Sequence, residues 1–142
     1  MLKIEMTASP RAAGYEIDNH GVFRLSNDDV RRHFIIPLVR AVAIGRIEHA
    51  VSLCGSGVGA SVAANKIPCV SAGLIHDVFS VSGVEDDDLN MLYLGGRVLE
   101  STQAAELSDT SPRAHFSYAA RRRRRLARGL ALETGNNQPC QP

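Results

Sequence analysis

Residues 51–66 read V-S-L-C-G-S-G-V-G-A-S-V-A-A-N-K, an order that suits a strand, a glycine turn and a helix in succession. The apolar run Ala50–Leu53 ends at Cys54, and Gly55, Gly57 and Gly59 follow at alternate positions. Ala60–Lys66 is alanine-rich and has good helix propensity. Glycines at such a junction let the backbone approach a ligand closely, because they carry no Cβ and tolerate positive φ. The amides that open the helix have no partner within it, so the turn can seat an anion or a developing oxyanion. Cys54 stands at the mouth of that seat as a candidate base.

On either side the pattern alternates between strand and helix. Leu2–Met6 alternates apolar and charged residues and predicts a strand, broken by Thr7–Gly14 with its Pro10. Tyr15–Ile17 and Val22–Leu25 are extended candidates around a turn at Asp18–Gly21. Ser26 or Asn27 can cap a helix through Val30, Phe34, Leu38, Val39 and Val42, kinked at Pro37 and ended by Gly45. Ile47–Cys54 is the next predicted strand, and the helix at Ala60–Lys66 stops before Pro68. Cys69–Ile75 reads as a buried strand with His76-Asp77 at its carboxyl end, followed by a short helix over Val78–Val84 and the acidic run Glu85–Asp88. Asn90–Leu94 is a further strand, closed by Gly95-Gly96-Arg97. A helix from Ser101 or Thr102 to Leu107, a loop at Ser108–Pro112 and a last helix over Ala114–Leu132 complete the chain. That last helix carries Arg121–Arg125 and Arg128. The alternation predicts an α/β fold with a mostly parallel sheet and helices on its faces, in one domain over residues 1–133 with a disordered tail at 134–142. Ligands in such sheets bind beyond the carboxyl ends of strands, where Cys54, His76-Asp77 and Gly95-Gly96-Arg97 all lie.

Bulk properties narrow the function classes. The chain has 142 residues, 44% of them apolar, which is enough for one core. Its net charge of +1 gives no general reason to bind a polyanion, and 5% aromatic residues provide no stacking platform, so a nucleic-acid partner is not expected. Three cysteines, Cys54, Cys69 and Cys140, argue against a disulfide framework and for a reducing compartment. Cys69 reads as structural and Cys140 as a tail residue. No Cys/His cluster suggests a metal, and neither a signal peptide nor a membrane span is evident. These features predict a cytoplasmic protein without metal.

The glycine stretch is not a phosphate-binding P-loop, because no Gly-Lys-Ser/Thr closes it. Gly55, Gly57 and Ala60 do fit the loose dinucleotide pattern, with Asp77 where that pattern wants a ribose-binding acid. The longer string is more specific. C-G-S-G-V-G-A-S-V-A-A-N-K-I-P, then A-G-L-I-H-D, then D-D-L-N-M-L-Y-L-G-G-R-V resembles the ribose-5-phosphate isomerase B and galactose-6-phosphate isomerase family, over Tyr15–Glu133 and most closely over Leu53–Val98. The resemblance implies a Rossmann-like three-layer sandwich, cofactor-free interconversion of aldose and ketose phosphates, and a homodimer with shared active sites. It makes Cys54 the base and Ser56 its catalytic companion, with Gly55, Gly57 and Gly59 holding the oxyanion and sugar hydroxyls. It places phosphate on Arg97, Arg121 and Arg125, the last two one helical turn apart.

Three departures stand out. The family opens with a strand ending in Asp-His and a long helix, whereas thirteen residues precede Gly14 here without that motif; the resemblance therefore implies that part of the usual N-terminal βα unit is lacking. Asp86-Asp87 replace a family His-Asn, which implies Asp86 as the catalytic group that opens the sugar ring and Asp87 as a substrate contact. Arg122 stands where the arginine motif usually has a histidine. Ribose 5-phosphate is the substrate the resemblance implies. The alternatives are a catalytically impaired binder of phosphorylated sugars and a dinucleotide-binding module.

Overall fold

The structure, a computed structural model, describes residues 14–20, 31–110 and 116–134. Three strands, β1 (Ala50–Cys54), β2 (Ala72–Leu74) and β3 (Met91–Gly95), form a wholly parallel sheet in the order β1-β3-β2. The central place of β3 follows from its composition. Met91-Leu92-Tyr93-Leu94-Gly95 is buried at every position, as a strand covered on both faces and both edges must be. Register aligns Cys54 with Gly95, Ser52 with Tyr93, and Tyr93 with Leu74 on the other side.

Among the described residues six helices flank the sheet: α1 (Arg31–Ala43), α2 (Val58–Ala64), α3 (Val78–Val81), α4 (Gly83–Asp87), α5 (Ser101–Thr110) and α6 (Ala120–Thr134). Alternate residues of β3 feed two cores. Leu92 and Leu94 pack with Ile75, Val81, Val84, Ala104 and Leu107. Met91 and Tyr93 pack on the opposite face with Val39, Val42, Ala50, Ala64 and Val70. The result is a Rossmann-like three-layer sandwich.

Asn65 in the Ala-Asn-Lys motif is a bracket. Its amide donates to Ala72 O at 2.8 Å, and its carbonyl accepts from Ala72 N at 2.9 Å. The end of α2 is thereby tied to the start of β2. Asn90 does the same from the other side, accepting from Ser71 N and donating to Cys69 O, each at 2.9 Å.

Several expected boundaries shift for local reasons. The helix through Pro37 continues to Ala43, and Gly45 follows it with φ 71°. Val78–Val84 is two helices, because Ser82 is both the C-cap of α3 and the N-cap of α4. The strands expected over Ile47–Cys54 and Cys69–Ile75 shorten to β1 and β2; Cys69 itself has φ 66°, outside extended geometry, and is exposed rather than structural. Helix α5 runs past Leu107, since Ser108 and Thr110 return their hydroxyls to Ala104 O at 2.7 Å and Glu106 O at 2.9 Å. The last helix begins at Ala120 rather than Ala114. The expectations for Leu2–Met6, Val22–Leu25, the cap at Ser26 or Asn27, the N-terminal βα unit and residues 135–142 lie outside the described residues. Among the described residues no helix is long and apolar enough to cross a membrane.

Candidate functional site

At the carboxyl end of the sheet, β1 delivers half-buried Cys54 to the glycine turn. Gly57 has φ 80° and is the N-cap of α2. The conformation demands glycine, and a Cβ there would also push Leu74 Cδ1 aside. Ser56 is exposed, and its Oγ accepts from Val58 N at 3.4 Å. Gly59 is exposed in the first turn of α2, with open space where a Cβ would stand. The next strand closes over the turn: Gly96 N donates to Cys54 O at 2.8 Å and Arg97 N to Gly55 O at 3.1 Å. Arg97 Nε lies 3.9 Å from where a Gly55 Cβ would be, so an exposed guanidinium with no carboxylate partner among the described residues overhangs the turn. Gly95 is closely hemmed in as well. A Cβ would stand 3.1 Å from Ser56 O, 3.2 Å from Val98 Cγ2 and 3.3 Å from His76 Nε2.

His76 thus reaches the same corner, with its Nε2 buried and without a hydrogen-bond partner. Asp77 does not join it. Its carboxylate caps α3, accepting from Ser80 N and Ser80 Oγ, each at 2.8 Å. The acid that a dinucleotide site would turn to a ribose is therefore a helix cap. These bonds from Ser80 hold the Asp77 carboxyl below the usual aspartate value of 3.8. A carboxyl with a lowered folded-state pKa stabilises the fold above its unfolded value, and that contribution fades as pH falls through the acid range. Asp77→Asn is expected to lower the melting temperature at neutral pH, with the gap to the parent closing below about pH 4, as paired thermal melts would show.

The remaining predicted residues lie elsewhere. Asp86 and Asp87 end α4, at the amino end of β3. Cys54 is at the opposite edge of the sheet, about 15 Å away along five residues of strand. Asp86 is ion-paired to Arg122 and Asp87 to Arg125, the latter at 3.0 Å, while Ser117 N donates to Glu85 O at 3.2 Å. These contacts lay α6 against α4. Arg125, Leu126, Gly129 and Leu130 then wall a groove whose other side is Asn65, Ser71 and Leu89. Arg121 is exposed, without a carboxylate partner among the described residues. Within one chain, Cys54, Gly55, Ser56, Gly57, Gly59 and Arg97 are brought together; Asp86, Asp87, Arg121 and Arg125 form a second group on α4 and α6. No group of three or more His, Cys, Asp or Glu among the described residues is placed to hold a metal ion.

Tyr93 is a residue that the sequence pattern does not single out. It is fully buried beside the Cys54 layer, and its hydroxyl has no hydrogen-bond partner. Burial pushes its phenol well above the ordinary value of 10.0, and a charge on Cys54 pushes it further.

The family model described as Ribose/Galactose Isomerase matches residues 1–128. The chain belongs to the ribose/galactose isomerase family. It is 28% identical over 138 residues to ribose-5-phosphate isomerase B of Escherichia coli, an alignment covering 96% of this chain and 91% of that protein. It is 29% identical over 99 residues to D-erythrulose-4-phosphate isomerase 2 of Mycolicibacterium smegmatis, covering 69% and 64%. Matches to curated relatives span from 47% to 91% of those proteins' own lengths. Among solved structures, ribose-5-phosphate isomerase B of Clostridium thermocellum superposes with a TM-score of 0.84 at 29% identity, over 94% of this chain and 89% of that one. Members of the ribose/galactose isomerase family are aldose–ketose isomerases, and the carboxyl-end group described above has the residue types such chemistry uses.

Proposed function

We propose that this protein is an aldose–ketose isomerase of phosphorylated sugars, taking ribose 5-phosphate to ribulose 5-phosphate. The observation that carries the reading is the meeting of Cys54, the open turn at Gly55–Gly57 and the Arg97 guanidinium at one corner of the sheet. Cys54 as thiolate takes the proton from C2 of the aldose, and the electrons move onto O1. Ser56 and the amides of the turn donate to the enediolate oxygens. A proton passes from O2 to O1, the proton held by the sulfur is delivered to C1, and the electrons of the C1–C2 double bond and the O2–H bond leave O2 as the ketone oxygen. The hydrogen lost by one carbon is gained by its neighbour, so no redox cofactor is needed. Arg97 anchors the phosphate end.

The division of the predicted residues between two ends of the sheet favours a homodimer, in which the Arg121–Arg125 surface of one copy completes the Cys54 site of the other. Helix α6 supports this: Arg122 and Leu126 are half-buried, and the other residues over 120–132 are exposed. Mixing equal amounts of inactive Cys54→Ala and inactive Arg121→Ala/Arg125→Ala proteins, with subunit exchange, is expected to restore about a quarter of the parent activity. Half the dimers are then mixed, and each of those has one intact site of two. Activity that stays at zero after exchange has been verified contradicts shared sites.

A second reading concerns the substrate. Asp86's carboxylate is engaged by Arg122 rather than left free to face a ring oxygen. That favours an open-chain substrate. A four-carbon sugar esterified at O4 cannot close a five-membered ring, and one relative is named for erythrulose 4-phosphate. Purified protein assayed side by side with ribose 5-phosphate and erythrulose 4-phosphate separates the two readings. Binding to either without turnover would point to an impaired relative.

A further inference from the structure

We propose that Tyr93 is a positioning residue for Cys54: its buried hydroxyl donates a hydrogen bond to the cysteine sulfur when that sulfur carries charge. This rests on the reading of Cys54 as the base. Tyr93 and Cys54 share one face of the sheet, since Ser52 pairs with Tyr93 and Cys54 with Gly95 two residues on in both strands. The two belong to the same packed layer, with Ala60, Ala64 and Leu74 around them. Tyr93 is 0% exposed, and its hydroxyl has no acceptor. Burying a hydroxyl without a partner is costly, and phenylalanine would fill the same space without that cost. The hydroxyl is thus a donor whose acceptor is missing in the resting state. No hydrogen bond joins it to Cys54 in the resting state; once ionised, the sulfur is a far stronger acceptor than a thiol and draws the hydroxyl onto it. The phenol keeps its proton for this task, since burial and a charge on Cys54 both oppose its ionisation. The other titratable side chains at this corner are Arg97, above Gly55, and His76, against Gly95.

The experiment uses Tyr93→Phe in a Cys69→Ser/Cys140→Ser background, so that iodoacetamide reports on Cys54 alone. Only the thiolate is alkylated, so the rate at neutral pH follows its population. A charge-assisted hydrogen bond shifts that population by about tenfold. Tyr93→Phe is expected to slow alkylation about tenfold while the melting temperature holds or rises. An unchanged alkylation rate with a lowered melting temperature, the mark of a merely structural tyrosine, overturns the proposal. Should the phenylalanine variant not fold, fluorotyrosine at position 93 keeps the ring and strengthens the donor. Alkylation is then expected to quicken, and an unchanged rate overturns the proposal. Alkylation requires no substrate, so its outcome stands apart from whether the protein turns over any sugar phosphate.

Discussion

Replacing Cys54 with alanine is expected to reduce isomerisation about 10²- to 10⁴-fold, the range a positioned acid–base group contributes. The fall should appear in kcat with little change in KM, because the sulfur acts on a carbon-bound hydrogen in the transition state rather than gripping the sugar. The fold should survive. Cys54 is half-buried at a strand end, and the turn beyond it is held by backbone bonds from Gly96 N and Arg97 N that alanine leaves in place. Steady-state kinetics beside a far-ultraviolet circular dichroism melt would check both halves. A Cys54→Ala protein with parent-like kcat would remove the proposed base.

The largest stability loss is expected from Leu92→Ala. Leu92 is 0% exposed in the central strand and contacts a layer built from Ile75, Val81, Val84, Leu94, Ala104 and Leu107. Those neighbours come from α3, α4, α5 and the sheet, so no single element can collapse into the vacated space. Leucine-to-alanine changes of this kind cost about 2–5 kcal/mol. At roughly 2–4 °C per kcal/mol for a chain this long, the melting midpoint should drop by about 5–15 °C. Urea titration with an unchanged m-value would confirm that the loss lies in the folded state. A drop within about 1 °C would show that the layer repacks.

The sequence and the structure agree best where one residue type has one physical use. Gly57 announces a positive-φ turn, and the turn is there at φ 80°. The strand-turn-helix at residues 51–66 and the parallel sheet follow from local pattern alone. Boundaries move where side-chain hydroxyls bond back to the helix, as at Ser108 and Thr110. Two features have no local signature. Tyr93 sits in a run apolar on both sides, and a strand buried on both faces does not say which neighbour each residue meets. The Asp86–Arg122 and Asp87–Arg125 pairs join α4 to α6, segments more than thirty residues apart, so only the docking of the last helix reveals them. Asp86 and Arg122, an acid and a cation, bind each other. Read one at a time, Asp86 and Arg122 look like separate departures; in the fold they are a single ion pair.

The sharpest examination of the Cys54 proposal is isomerisation run in deuterated water and followed by proton NMR. A proton carried between carbons on a sulfur meets solvent on the way, so ketose formed by the parent protein should hold solvent deuterium at C1, and Cys54→Ala should form labelled ketose at least about a hundredfold more slowly. Ketose formed with no solvent deuterium at all, or labelled ketose formed equally well without the sulfur, would contradict it.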